Sequence, residues 1–470
     1  MIEKRIFGRT ITVIQIRLLC KTLGFGDSKN IMLNSISSFK KKGITILVIV
    51  ISLLFSFTVY AQENNNILQD SVIRNEAVKV DKVIEKDLID VTQNVIRFFT
   101  PHKLRHPIVA DSLKKDSGMV YFAFLPAVGY ALQTGITGIV AINISFFTSK
   151  KYKKETRLSS FTINPAFSLQ HQVMIPIQSN IWLNRNRINL LGDWRYYLYP
   201  TTTYGLGGQT WLSNSNLVRY SFVRVYEQAS KRLFPNFYVG LGYGLDWHFD
   251  ISVGQTSGLG TDFQTYNHNK KRTVSSGPVL NLTYDSRDNT NNPHKGNYAN
   301  IVFHSNLKTF GSNRDWQSLQ IDLRKFIKLH PNERHILALW SYNWFTFGGK
   351  APYFDLPSTG WDTYSNTGRG YIQGRLRGDN FIYVESEYRV TITKNGLFGG
   401  VVFANAQSVS NYPPTNPNNL LSDRFTTVLP AAGLGIRIKI NKVSKVNFAL
   451  DYAWGMGGSR GFFFNLSEVF

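Results

Sequence analysis

The amino-acid sequence predicts an all-β protein, a transmembrane antiparallel β-barrel of about 16 strands preceded by a short N-terminal periplasmic helix. Two observations indicate this fold. Apolar residues occur at every second position in many segments, most regularly in residues 237–252, as expected for strands with one apolar face. Aromatic residues make up 14% of the chain, yet its only long apolar run lies near the N-terminus. A helical membrane protein would need several such runs of about 20 residues each.

The alternation begins at residue 118, and residues 118–470 are assigned to the barrel. A soluble β-sandwich would also alternate, but the number and length of the strands and the small or charged inward-facing residues favour a barrel. Four long connections all follow odd-numbered strands, so they emerge on one side of the wall. They are residues 201–215, 253–274, 350–379 and 411–423. Long extracellular loops opposite short periplasmic turns are typical of outer-membrane barrels.

Residues 1–61 are predicted to be a leader with a cleaved signal peptide. Three lysines at 40–42 precede an apolar run at 44–59, and Ala61 stands before a polar stretch. A basic region, an apolar region and a small residue in this order are typical of secretory signals. Met32 would give an ordinary basic region, which indicates that it is the true start. We therefore expect the protein in the cell outer membrane.

Residues 62–117 are predicted to hold a polar segment and one amphipathic periplasmic helix, at residues 72–99. Apolar side chains recur there at spacings of three and four, and Pro101 follows the helix. The helix is expected to pack on the barrel mouth. The alternative is that it docks a periplasmic partner.

The composition and motifs exclude several function classes. Cys20, the only cysteine, lies in the predicted leader, so no disulfide framework and no cysteine metal site are expected in the mature chain. The usual metalloprotease, phosphate-loop and nucleophile motifs are missing from the sequence. We therefore expect no catalytic residues, no metal, no cofactor and no enzymatic activity. A membrane phospholipase with a Ser/His pair on the wall is the remaining enzymatic alternative.

The formal charge of +23 is distributed along the alternating strands rather than concentrated in one segment. This distribution argues against nucleic-acid binding, which usually requires a clustered basic surface. It favours contact of charged strand ends with outer-membrane lipid and lipopolysaccharide.

The longest connection carries a motif rich in glycine and arginine. Its residues are Gly368, Arg369, Gly370 and Tyr371. On the strand that follows, the alternation turns Glu385 and Glu387 inward, toward the lumen. Glycine permits a tight turn close to the wall, and an arginine offers a rigid two-pronged partner for a carboxylate.

The motif, with the Tyr-Asp-Ser-Arg-Asp segment at 284–288 and the strand sequences around 386–389 and 403–406, resembles the barrel of the BamA/TamA family, also called bacterial surface antigens. The resemblance covers about 118–470. It implies that the sixth extracellular loop folds back into the lumen, where its arginine meets acidic wall residues. By position, Arg369 matches the loop arginine and Glu387 the wall carboxylate.

Two departures from the family pattern accompany the resemblance. Asn405 stands where the family usually has Asp, and Gln407 where it usually has Gly. Family insertases also carry periplasmic repeat domains before the barrel, and residues 62–117 are too few for a set of them. The resemblance is therefore to a barrel-only member.

The resemblance further implies a function: assisting insertion or translocation of client outer-membrane proteins or lipids through a weak seam between the first and last strands. Pro126 and Gly129 in the predicted first strand would limit its pairing with the last strand, which is predicted to end at Phe470. The alternative is a passive outer-membrane channel in which the sixth extracellular loop is a plug.

The predicted leader can be tested directly. N-terminal sequencing of the protein from outer membranes should begin at Gln62, because signal peptidase cleaves after a small residue such as Ala61. A mature protein that retains the apolar run at 44–59 would refute the assignment.

Overall fold

The protein wall is formed by strands whose side chains alternate between two environments. In the computed structural model, successive strands pair antiparallel along the chain within one sheet. The strands are β1 (Val120–Ala131), β2 (Gly135–Phe146), β3 (Ser159–Ile163), β4 (Ala166–Ser168), β5 (Val173–Leu183), β6 (Ile188–Thr203), β7 (Asn216–Phe234), β8 (Phe237–Thr256), β9 (Thr273–Asp285), β10 (Gly296–Asn306), β11 (Trp316–Lys328), β12 (His335–Phe347), β13 (Asn380–Thr391), β14 (Phe398–Val409), β15 (Leu429–Asn441), β16 (Val446–Gly455) and β17 (Arg460–Leu466). The predicted all-β antiparallel class is confirmed.

The structure describes residues 85–88, 90–91, 119–131, 133–153, 155–256, 261–267, 270–330, 334–410, 425–442 and 445–470. The predicted leader, the polar segment after it and most of the predicted periplasmic helix lie outside these residues. A short helix α1 (Thr261–Asn267) follows β8. No helix in the described ranges has the length and apolarity needed to span a membrane.

The predicted third strand, residues 156–169, is divided into β3 and β4 in the structure. Pro165, between the two pieces, has no N–H group to donate to a ladder. Both pieces nevertheless pair with β2 on one side and with β5 on the other. They occupy one position in the wall, so the seventeen strands fill sixteen positions.

The two faces of the wall differ as a membrane barrel requires. On β13, Val384 and Tyr388 are 48% and 41% exposed, while their neighbours Glu385 and Glu387 are buried. On β8, Leu241 is 68% exposed. Exposed apolar side chains alternating with buried charges place the lipid outside and a polar lumen inside.

The connections alternate between the two ends of the wall because every ladder is antiparallel. The connections β6–β7, β8–β9, β12–β13 and β14–β15 therefore emerge at one end, as the sequence predicts. The tight β7–β8 turn, at Pro235 and Asn236, lies at the opposite end. We refer to the end with the long connections as the extracellular end.

The sheet closes at a seam between β1 and β17. β1 pairs with β2 along its whole length, and β17 pairs with β16 from Arg460 to Leu466. Cα atoms of β1 and β17 come within 8 Å of each other. Among the described residues, however, no backbone ladder joins these two strands. Every other pair of adjacent wall positions is joined by a ladder.

The described part of the predicted periplasmic helix, which we call the docking segment, includes one helical turn. It lies against the short turns opposite the extracellular end. The Lys86 N–H donates to the Asn395 carbonyl in the β13–β14 turn at 3.0 Å. The Lys442 ammonium, in the β15–β16 turn, donates to the Asp90 carboxylate at 2.7 Å, and this bond raises the pKa of Lys442.

Cysteine labelling can test the assignment of the two ends. With Cys20 in the predicted leader, single cysteines at the exposed positions Ser213 and Thr309 should react with an impermeant maleimide on intact cells. Cysteines at the exposed positions Lys295 and Lys394, at the opposite end, should react only after the outer membrane is permeabilised. The reverse pattern would mean that the ends are wrongly assigned.

Candidate functional site

Loop 6, which we define as residues 348–379 between β12 and β13, folds back into the lumen. Its turn depends on two glycines: Gly368 and Gly370 have φ of +82° and +101°, a region that other residues rarely adopt. A Cβ atom at Gly370 would lie 2.7 Å from the Ala431 Cβ on β15. The backbone therefore touches the wall here, and Arg369, between the two glycines, is held against it.

The Arg369 guanidinium binds three carboxylates of the wall. It donates to Asp451 on β16 at 2.5 Å and to both Glu385 and Glu387 on β13. Its Cζ lies 3.6 Å from the centroid of the Phe403 ring. The side chain is 1% exposed. The Arg369–Glu387 pair suggested by the family resemblance is thus present in the structure, as one of three contacts in a buried site.

Two more arginines bind carboxylates of this group and a fourth carboxylate, Glu468. Arg389 Nε donates to Glu387 at 2.7 Å. Arg437 Nη1 donates to Asp451 at 2.5 Å, and its Nε donates to Glu468 at 2.7 Å. We call the three arginines (Arg369, Arg389, Arg437) and four carboxylates (Glu385, Glu387, Asp451, Glu468) the ion network. Each charge in it has at least one opposite partner, which burial in a low-dielectric interior requires.

Asp451, Arg437 and Glu468 are network members that were not predicted from the sequence. Asn405, expected beside the loop arginine, instead donates from Nδ2 to the Arg369 carbonyl at 2.9 Å. This hydrogen bond holds the loop backbone. The negative charge that neutralises Arg369 at this side is that of Asp451. Gln407 similarly accepts from the Thr359 hydroxyl in loop 6 at 2.7 Å. The inward alternation of residues 445–453 was the available signal for Asp451.

Tyr371 attaches loop 6 to the extracellular end of β15 and β16. Its hydroxyl donates to the Pro430 carbonyl and accepts from the Met456 N–H at 2.9 Å. A Cβ atom at Gly455 would lie 2.7 Å from the Tyr371 Cζ, so the ring occupies the space that this glycine leaves. The motif therefore binds the wall through both its arginine and its tyrosine.

The rest of loop 6 fills the lumen. Its buried apolar side chains include Tyr353, Phe354, Leu356, Trp361 and Leu376. The Phe354 ring lies 4.2 Å from the Tyr220 ring of the wall, centroid to centroid. The cavity lined by Phe354, Asp355 and Trp361 of loop 6 has a volume of about 20 Å³, and a cavity needs about 10–15 Å³ on this measure to hold one water molecule.

The seam residues lie partly where the sequence predicts. Pro126 is within β1 and pairs with Val140, and Gly129 pairs with Thr137. The placement of Phe470 in the seam is wrong. β17 ends at Leu466, and Ser467, with φ of +78°, turns the chain out of the strand.

Residues 467–470, which we call the lumenal tail, enter the barrel. The Phe470 ring stacks on Trp340, with centroids 5.1 Å apart. The Phe470 carbonyl accepts from Arg389 at 2.9 Å, and the Val469 carbonyl accepts from Asn366 of loop 6 at 2.5 Å. A buried aromatic ring beside a ring and a guanidinium in the lumen is more favourable than one left at an unpaired strand end.

Removing the Arg369 charge should destabilise the barrel. Arg369→Ala leaves three buried carboxylates without a shared partner, and breaking a buried pair costs about 3–5 kcal/mol. We expect a lower midpoint of urea unfolding. The folded fraction at each urea concentration is measured by heat-modifiable gel mobility. Adding Glu385→Gln should recover part of the loss because it removes one stranded charge.

The matched control is Arg460→Ala, which removes an exposed arginine at the extracellular end. Its effect should stay within about 0.5 kcal/mol. Equal unfolding midpoints for the Arg369 and Arg460 variants would show that the ion network does not hold the loop.

Comparisons with known proteins give the family. No curated protein sequence matches the chain. Among solved structures, it is similar to BamA from Haemophilus ducreyi lacking POTRA domains 1–3, with 15% identity, a TM-score of 0.46, and coverage of 74% of this chain and 69% of that one. It is also similar to CdiB from Acinetobacter baumannii, with 13% identity and a TM-score of 0.46 over 75% of this chain. The match spans 60% of that chain, less than two thirds of its length.

A family model, the Omp85 superfamily domain, matches residues 183–470, which is more than half of the chain and includes loop 6 and the whole ion network. The chain therefore belongs to the Omp85 superfamily.

Proposed function

We propose that this barrel assists the insertion or translocation of client outer-membrane proteins or lipids, without an enzymatic step, through the seam between β1 and β17. One observation carries the proposal. Adjacent wall positions are joined by backbone ladders throughout the described residues, except at this seam. An opened seam presents strand edges, on which a client strand can form hydrogen bonds.

The ion network supports a particular way of opening. It connects β13, β15, β16, the lumenal tail and loop 6, so the strands on the β17 side of the seam are held from inside the barrel. β1, on the other side, has a ladder only with β2. Pro126 in the middle of β1 also has no N–H to offer to a second neighbour. The proposal is therefore that β1 moves while the β17 side keeps its place.

The passive channel is the competing function. It would require a path for solutes past loop 6. Loop 6 is bound by buried ion pairs and fills the lumen with aromatic side chains. Displacing it would strand several charges, each at a cost of a few kcal/mol. This cost favours the seam over the lumen as the functional route.

A disulfide across the seam tests the proposal. We would make a series of double-cysteine variants, each with one cysteine on β1 and one on β17. The series should include a pair close enough to form a disulfide, since disulfides need Cα atoms about 4.4–6.8 Å apart. In cells depleted of the wild-type protein, this oxidised pair should fail to restore the protein and lipid composition of the outer membrane. Reduction of the disulfide should restore it.

The matched control carries Tyr452→Cys and Phe462→Cys joined by a disulfide. Tyr452 and Phe462 are partners in the β16–β17 ladder. It should leave function intact because that ladder does not open. Full function with the seam completely crosslinked would refute lateral opening. Unchanged membrane composition after depletion, together with lost solute uptake, would favour the channel.

A further inference from the structure

A group of basic residues lies at the extracellular end, in three connections that approach one another. We call it the basic rim. Its members are Lys270, Lys271 and Arg272 before β9, Lys308 and Arg314 between β10 and β11, and Lys350 at the start of loop 6. All six side chains are exposed or half-buried. None of them takes part in the ion network or in the seam.

Backbone contacts hold the three connections together. The Asn313 N–H donates to the Val274 carbonyl at 2.8 Å, and the Val274 N–H donates to the Asn313 side chain at 2.5 Å. These bonds place Arg314 beside the start of β9. A Cβ atom at Gly349 would lie 2.0 Å from the Asp315 carbonyl, so Lys350 follows directly after a close approach to the same connection.

The β10–β11 connection folds over the outer, lipid-facing surface of the wall. The Ser276 hydroxyl donates to the Phe310 carbonyl at 2.8 Å, and it also bonds the hydroxyl of Tyr243, whose side chain is 40% exposed on that surface. Phe310 and Phe347 are 51% and 45% exposed. Exposed aromatic side chains at the end of a barrel wall are typical of the membrane–water interface.

The rim carries an excess of positive charge. Carboxylates beside it include Asp315, which accepts from the Lys308 N–H at 2.7 Å, Asp379, and Asp250, which precedes the Ile251 N–H bound to the Lys271 carbonyl. Burial and the Arg314 guanidinium lower the pKa of Lys270. Burial and then Arg314 also lower the pKa of Lys350, in spite of Asp379. The cations therefore repel one another, and a bound anion would relieve that repulsion.

We propose that the basic rim binds the phosphates of lipid headgroups in the outer leaflet. Charge complementarity selects a multiply charged anion, and the exposed aromatic band directly beside the rim selects one attached to acyl chains. Basic groups near membrane aromatics bind lipid headgroups in this way. The proposal rests on the assignment of the extracellular end, but it does not depend on the opening of the seam that the proposed function requires.

The test uses the full chain in nanodiscs that contain phosphatidylethanolamine and diphosphorylated lipid A, with binding measured by native mass spectrometry. The rim variant carries Lys270→Gln, Arg314→Gln and Lys350→Gln. The control variant carries Lys295→Gln, Lys325→Gln and Lys394→Gln, which remove the same charge from exposed positions toward the opposite end. Folding of both variants is checked by heat-modifiable gel mobility.

The rim variant should bind lipid A at least about ten-fold more weakly, since each basic residue near an anionic surface contributes about a five-fold effect. The control variant should lose less than about two-fold by the same reasoning, because it keeps the rim. For the wild type, higher ionic strength should weaken binding, and lipid A without phosphates should bind poorly.

Three results would overturn the proposal. They are equal losses in the two variants, equal binding of the lipid without phosphates, and displacement of lipid A by millimolar inorganic phosphate, which would identify a site for the free ion. Should the rim variant fail to fold, the wild-type dependence on ionic strength and on the lipid phosphates still decides. None of these measurements involves a client, so their failure and that of the seam proposal are separate outcomes.

Discussion

Burial of the Arg369 guanidinium inside a membrane barrel requires carboxylates on the wall to neutralise it, and much of the structure depends on this requirement. The three carboxylates come from β13 and β16, which are separated in the wall by β14 and β15. Loop 6 must therefore descend far enough to reach them, and its glycines must bring the backbone against β15. The aromatic residues that fill the lumen follow from this descent, because the same loop carries them.

The ion network also gives the two sides of the seam different mechanical properties. On one side, Arg389 joins Glu387 to the Phe470 carbonyl, so the lumenal tail is bound to the same groups as loop 6. On the other side, β1 is joined to the barrel by one ladder, to β2. Hydrogen bonds and ion pairs in a low-dielectric site strengthen one another. The β17 side is therefore held by the ion network, whereas β1 is held by a single ladder. This difference makes it physically reasonable that β1 moves when the seam opens.

The two ends of the barrel present different chemistry for related reasons. At one end, acidic residues of the docking segment meet Lys442, so opposite charges neutralise each other within the chain. At the extracellular end, Lys270, Arg314 and Lys350 lie close together with few carboxylates. Charges satisfied within the chain stabilise a contact, whereas charges left in excess attract a partner from outside.

The sequence by itself determined the fold class, the wall positions and the inward direction of Glu385 and Glu387, because a strand's two-residue period is a local property. Through the family resemblance it also indicated the Arg369–Glu387 pair, whose members are 18 residues apart on successive elements. Asp451, 82 residues from Arg369, joins the network only because closing the wall brings β16 beneath loop 6. The turn at Ser467, which takes Phe470 from the strand into the lumen, was likewise decided by the tertiary structure. There the ring finds Trp340 and Arg389, and a contact between residues so far apart in sequence leaves no periodic pattern along the chain.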